Sequence, residues 1–200
     1  MKVLLFCLKG FETLEFSPFV DVFGWARNDF DCDIEIITCG FTKEVVSAFG
    51  VPMIMDNTIE KIDVSDFNAL AVPGGFEEFG FYEEAYDERF LRLIREFDRQ
   101  NKPIASICVA ALPIGKSGVL TDRKATTYHL NGGVRQKQLA EFGVNVIPDK
   151  SIVIDRNIIT SYCPQTGPYV ALNLLAGLVG EEKAKKLAIA MGYDDFETKN

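Results

Sequence analysis

Histidine and tryptophan each occur once in this chain, five cysteines include no CxxC pair, and no apolar run is long enough to span a membrane. A single histidine, His129, gives no cluster for a metal. The five cysteines (Cys7, Cys32, Cys39, Cys108, Cys163) form an odd set that predicts neither a disulfide framework nor a zinc site. A reducing cytoplasm is the compartment that suits such thiols. The opening segment 1–10 is apolar over too few residues to cross a bilayer and lacks a small-residue cleavage site, so it predicts a first strand. Basic residues are in deficit, 21 against 29 acidic ones for a net charge of −8, which argues against nucleic-acid and membrane partners. Internal repeats, low-complexity linkers and composition shifts are missing too. The 200 residues therefore predict one domain over 1–193, with 194–200 as a tail that frays.

What is present is an ordinary globular composition, 48% hydrophobic and 25% charged, arranged as short apolar runs that alternate with longer amphipathic segments. That alternation predicts an α/β domain whose mainly parallel sheet is covered on both faces. Strands are expected at 3–8, 33–39, 69–72 and 104–107, with shorter ones at 144–147, 152–154 and 158–161. Helices are expected at 14–28, 87–100 and 109–116, and Pro168 opens a closing pair at 169–179 and 181–191. The short runs 45–46 and 53–55 predict a small hairpin.

The stretch 102–112 carries most of the chemistry, because an apolar run ends at Cys108 and small residues follow at once. It predicts strand, sharp turn and helix, an elbow that projects a nucleophile from the carboxyl edge of a sheet. Backbone N–H groups and the dipole at a helix start favour the ionised sulfur, so this position predicts a lowered thiol pKa. A buried structural cysteine fits the same segment. Pro73-Gly74-Gly75-Phe76 follows the third strand, where two glycines permit a tight turn and amides that could hold an oxyanion; a plain connection is the alternative. Glu15 falls in the first turn of the first helix, between Leu14 and Phe16. Burial near Cys108 would raise its pKa and make it a proton carrier, whereas an ordinary first-turn acid, as Glu12 is expected to be, would be there for the dipole. His129 lies in a predicted loop, and any imidazole chemistry with a thiol must use it. Glu77, Glu78, Glu83 and Glu84 predict a solvated acidic face, and Cys163 follows a strand that ends at the same sheet edge, as an inert thiol or a further site residue.

In this order, Glu15, Pro73-Gly74-Gly75, the Ala105-Ser106-Ile107-Cys108 elbow and Ala125-Thr126-Thr127-Tyr128-His129 resemble the DJ-one/ThiJ/PfpI superfamily, small relatives of class I glutamine amidotransferases. The similarity extends through 149–161 into the closing helix from Thr166. The resemblance implies a flavodoxin-like three-layer α/β/α sandwich and a homodimer. It also implies an easily oxidised Cys108 bonded to Glu15, and oxyanion amides from Gly75 and Val109. The protease-like branch carries histidine directly after the cysteine, where this chain has Val109, and Tyr128 is an extra residue before His129.

The expected activity is a cofactor-independent cysteine enzyme acting on a small reactive carbonyl, of glyoxalase III or deglycase type. Methylglyoxal would be converted to lactate by Cys108 as nucleophile and Glu15 as proton carrier, with His129 assisting. Isocyanide hydration and an amidase- or peptidase-like hydrolysis use the same residues. A redox-sensing or protective protein with an oxidisable Cys108 is the alternative from another class.

Overall fold

The computed structural model describes residues 1–198, so Lys199 and Asn200, the end of the expected tail, lie outside the described residues. The first part of that tail is docked: Phe196 is buried and packs near Tyr169, whose hydroxyl donates to Asp195 at 2.7 Å.

The chain runs β1 (Lys2–Phe6), α1 (Thr13–Asp29), β2 (Glu35–Gly40), β3 (Glu44–Val46), β4 (Pro52–Ile54), β5 (Asn57–Thr58), β6 (Ala69–Val72), α2 (Phe81–Ala85) and α3 (Glu88–Arg99). It continues through β7 (Ile104–Ser106), α4 (Ala111–Lys116), β8 (Lys124–Ala125), α5 (Leu130–Glu141), β9 (Asn145–Val146), β10 (Ile152–Asp155), β11 (Ile158–Ser161), α6 (Gly167–Val179) and α7 (Glu181–Ala190). Seven strands form one sheet in the order β10-β11-β7-β6-β1-β2-β5. Every pairing in it is parallel except the antiparallel edge pair β10 and β11.

The central strands are continuous apolar runs because helices cover both their faces. Val3, Leu4, Leu5 and Phe6 of β1 and all of β6 are fully buried. One layer is α1, α6 and α7, packed on one another, and the other is α2 to α5. α3 shows how the sequence produces this: Asp87 caps its N-terminus by accepting from Arg89 N, and Phe90, Leu91, Leu93, Ile94 and Phe97 recur at helical spacing to face the sheet. α6 is buried nearly all round, from Val170 to Ala176, because it is pressed between the sheet and α1 and α7. The expected hairpin at 45–55 is β3 and β4, paired antiparallel with Val45 opposite Met53.

Three expectations change. The segment 144–147 yields only β9, which pairs with β8 in a separate two-stranded sheet. The helix after the elbow is shorter, because Cys108–Ala110 form a 3-10 turn before α4 starts. His129 does end a loop, at the residue before α5, but α5 itself was not expected, a helix hidden in the sequence by Asn131-Gly132-Gly133. Those three residues take left-handed φ values of 54°, 69° and 68°, after which the chain runs on as a regular helix.

β1 connects to β2 on one side and the chain later returns to β6 on the other, so the order reverses between β1 and β6. A crevice opens at the carboxyl ends of strands where order reverses, which is where ligands bind in such sheets.

Candidate active site

Four strand ends meet at that crevice. β1 leads to Glu12 and Glu15, β6 to Gly74 and Gly75, β7 to Cys108, and β11 to Cys163. Of these, Glu12, Gly75, Cys108 and Cys163 border a cleft of about 440 Å³ that Tyr82, Val109, Tyr128 and Arg135 also line.

Cys108 sits at φ +57°, in the left-handed region, at a cost of about 1–2 kcal/mol for a residue with a Cβ. The surroundings hold it there. Its carbonyl accepts from Thr127 Oγ1 at 2.8 Å, and the Thr126 amide donates to Thr160 Oγ1 at 2.9 Å, which ties this segment to β11. The Val109 N–H donates to the Cys108 sulfur, so the elbow supplies one of the two amides it was expected to.

Gly74 is glycine because nothing larger fits. A Cβ there would stand 2.7 Å from Glu15 Oε2, 2.9 Å from the Ile107 carbonyl and 3.2 Å from Cys108 Cβ. The Gly74 amide donates to Glu15 Oε2 at 2.6 Å, a bond sealed from water. This corrects the expectation of two free glycine amides: the Gly74 N–H is spent on the carboxyl, and of the two glycines Gly75, which lines the cleft, is left to join Val109 in meeting an oxyanion.

Glu15 is fully buried. Burial pushes its carboxyl up to about 8, and the Glu12 carboxylate pushes the same way against the Gly74 N–H and the Cys108 thiol. The second oxygen, Oε1, is sealed without a partner of good hydrogen-bond geometry, while the Cys108 sulfur and Glu12 are the near neighbours of the side chain. A buried oxygen in that state is best met by a proton of its own. Glu15 is therefore mainly neutral at pH 7, close enough to its midpoint to release and retake a proton. Glu12, expected to be a bystander, is part of the site: it lines the cleft and exchanges a hydrogen bond with Glu15, and half-burial raises its own pKa. The i, i+3 spacing of the two acids on the first turn of α1 was the available signal.

The lowered thiol pKa expected from the elbow is overturned. Burial and then the charge of Glu15 push Cys108 well above an ordinary thiol, and the Val109 N–H only partly opposes them. The helix start loses because α4 is short, begins after a 3-10 turn and acts in a site closed to water.

His129 goes elsewhere. Its Nδ1 is 3.5 Å from Cys163 Sγ, and its ring stacks on Tyr162 with centroids 4.0 Å apart. The extra Tyr128 lines the cleft, while the imidazole serves the neighbouring thiol. Two further side chains escaped the sequence reading. Arg135 stands over the Tyr82 ring, 5.1 Å from its centroid, and pairs with Glu77 at 2.7 Å. The Tyr82 hydroxyl is sealed from water and has no partner among the described residues. Neither belongs to a short motif, since α2 and α5 meet only in the fold.

Among the described residues no group of His, Cys, Asp and Glu could hold a metal ion, and no helix is long and apolar enough to cross a membrane.

Comparison with known proteins gives a consistent result. The model of the DJ-1/PfpI family matches residues 1–177. The crystal structure of DJ-1beta from Drosophila melanogaster superposes with a TM-score of 0.82 at 25% identity, covering 95% of this chain and 96% of that one. The deglycase PfpI of Pyrococcus furiosus is 29% identical over 65% of this chain and 74% of its own length. The putative cysteine protease YraA of Bacillus subtilis is 28% identical over 82% of this chain and 89% of its own. Against three other curated relatives, one from Methanocaldococcus jannaschii and two DJ-1 homologues from Arabidopsis thaliana, the chain spans only 63%, 40% and 43% of their length.

Proposed function

The chain belongs to the DJ-1/PfpI family, and from that premise we propose that it is a cofactor-independent cysteine enzyme that converts small 2-oxoaldehydes, methylglyoxal among them, to 2-hydroxy acids. The observation that carries this reading is the pairing of Cys108 with a buried carboxyl whose pKa lies near 8, inside a cleft that admits a small molecule. A proton carrier works best when its pKa is near the working pH, because it then both takes and returns the proton cheaply.

In the proposed sequence Cys108 Sγ attacks the aldehyde carbon while its proton passes to ionised Glu15. The new alkoxide lies toward the Gly75 and Val109 amides, which hold its charge. Glu15 first returns that proton to the alkoxide, then takes the proton of the former aldehyde carbon and delivers it to the adjacent carbonyl carbon, while the hydroxyl proton passes to the adjacent oxygen. This oxidises one carbon and reduces its neighbour, so no external redox agent is needed, and the product stays on sulfur as a thioester. Water cleaves the thioester, returning the Cys108 thiol and releasing the acid. The sum is one oxoaldehyde plus one water to one hydroxy acid.

A peptidase reading is less favoured. Val109 stands where the protease-like branch has its histidine, and His129 is held by Cys163 and Tyr162. The test is methylglyoxal consumption with lactate as product, comparing wild type, Cys108→Ser and Glu15→Gln. Turnover by wild type that both substitutions abolish supports the proposal. A Cys108→Ser variant as active as wild type would overturn it.

A further inference from the structure

The carbonyl chemistry leaves a second sulfur in the cleft unused. Cys163 borders the same space as Cys108 and is as well buried, at 4% against 7% exposure. It is also equipped. His129 presents its ring Nδ1 3.5 Å from the sulfur and its backbone N–H to the same atom, and the ring is kept in place by stacking on Tyr162. A sulfur next to an imidazole and an amide N–H has an acceptor for its proton and a donor for its charge, and an inert packing cysteine has no need of either.

We propose that Cys163 is the resolving thiol of Cys108: once a peroxide has oxidised Cys108 to its sulfenic acid, Cys163 attacks that sulfur and a Cys108–Cys163 disulfide closes the cleft. The inference rests on the reading of Cys108 as the reactive thiol. In the first step the Cys108 sulfur takes one oxygen from hydrogen peroxide, becoming the sulfenic acid and releasing water. In the second, His129 accepts the Cys163 proton, the S–S bond forms, and the departing hydroxide takes that proton as a second water. Two thiol hydrogens and one peroxide become a disulfide and two waters.

The topology brings the two sulfurs together. β11 lies beside β7 in parallel, with Ile158 opposite Ile104 and Ile159 opposite Ala105, so both chains leave the sheet at one edge, and adjacent strands are about 4.8 Å apart. Side-chain bonds keep the ends in step: Ser106 Oγ donates to the Ile159 carbonyl, and Ser161 Oγ to that of Ser106. The α-carbons of bridged cysteines are usually 4.4–6.8 Å apart, a spacing neighbouring strand ends supply. The charge of the Cys163 sulfur also bears on Cys108, as expected of a near neighbour. The Cys163 carbonyl is pinned by both the amide and the hydroxyl of Thr166, which holds the backbone that carries the sulfur.

The experiment is graded hydrogen peroxide on the reduced protein, followed by alkylation of remaining thiols and non-reducing peptide mapping by mass spectrometry. Expected first is a cross-linked pair of the Cys108 and Cys163 peptides, two hydrogens lighter than their sum. Cys163→Ser, with Cys163→Ala as a second variant in case one misfolds, removes the bridge and carries Cys108 on to the sulfinic acid at the same dose. His129→Gln slows bridging roughly tenfold, less than the 10²–10⁴-fold of a committed general base because solvent also accepts thiol protons. Wild type that gives Cys108 sulfinate while Cys163 stays free overturns the inference and leaves the reactive Cys108 standing. A Cys108 that stays unmodified at every dose overturns both.

Discussion

Two pairs of thiols lie on neighbouring strands of one sheet, and they are built for opposite ends. Cys7 follows β1 and its amide donates to the Cys39 carbonyl of β2 at 2.7 Å. Both side chains are fully buried among apolar neighbours; the Cys7 sulfur finds a backbone carbonyl, and the Cys39 sulfur the carbonyl and N–H of Gly40. Burial pushes Cys39 up to about 12 and Cys7 well above the ordinary range. Cys108 and Cys163 are almost as buried, and their thiols are raised as well. The difference lies in what stands beside them: a proton carrier, an imidazole and a cleft that admits a reagent. Burial alone makes a thiol inert. Burial with an adjacent proton acceptor makes it a site, because the proton then has somewhere to go.

The sharpest way to break this comparison is alkylation of the native protein. Cys108 and Cys163 should react through the cleft, while Cys7 and Cys39 wait for unfolding and lag by at least about 10³-fold in time-resolved mass spectrometry. Equal rates would erase the distinction between the pairs.

Glu15→Gln should come next. It keeps the volume and removes the titrating proton, so turnover should fall about 10²–10⁴-fold in kcat. It should also change how stability depends on pH. Glu15 titrates at about 8 in the fold against a reference of 4.5, so its stabilising contribution is fully present below 4.5 and is lost as pH rises through 8. Wild type should lose on the order of 4 kcal/mol of unfolding free energy across that window, and the variant should be nearly flat there in denaturant titrations at several pH values. Glu12→Gln should move the wild-type midpoint downward, since Glu12 is the charge that raises Glu15.

Gly74→Ala is a smaller structural probe of the cleft pair alone. Its methyl would meet Glu15 Oε2 and the Ile107 carbonyl, so about 1–3 kcal/mol of stability should be lost, read from the denaturation midpoint. A neutral result would mean that the carboxyl and the elbow are less tightly set than their geometry indicates. The smallest effect should be that of His129→Ala on methylglyoxal turnover, within roughly tenfold of wild type and short of what a general base contributes. A larger loss would bring the imidazole back to Cys108.

Much of this was legible in the chain. Apolar runs with no polar alternation, such as 69–72 and 104–107, read directly as buried parallel strands, and the break at Cys108 read as an elbow, because both are local patterns of side-chain chemistry. Glu15 was visible as an acid among apolar neighbours on a first turn. α5 was not, since Gly132 and Gly133 look like breakers until the backbone is seen to spend them on a left-handed turn. Tyr82 and Arg135 come from distant segments, and no spacing rule joins them.

The sequence by itself determined the class of fold, most of its element order and the elbow at Cys108, since each depends on neighbours along the chain. Only the tertiary structure decided the rest: that Gly74 gives its amide to Glu15, that Glu12 shares the proton, that the Cys108 thiol is raised and not lowered, and that His129 faces Cys163. Those are questions of burial and of which strand ends meet at one edge. A pKa and a hydrogen-bond partner are properties of the space around a group, and that space is assembled from residues far apart in the chain.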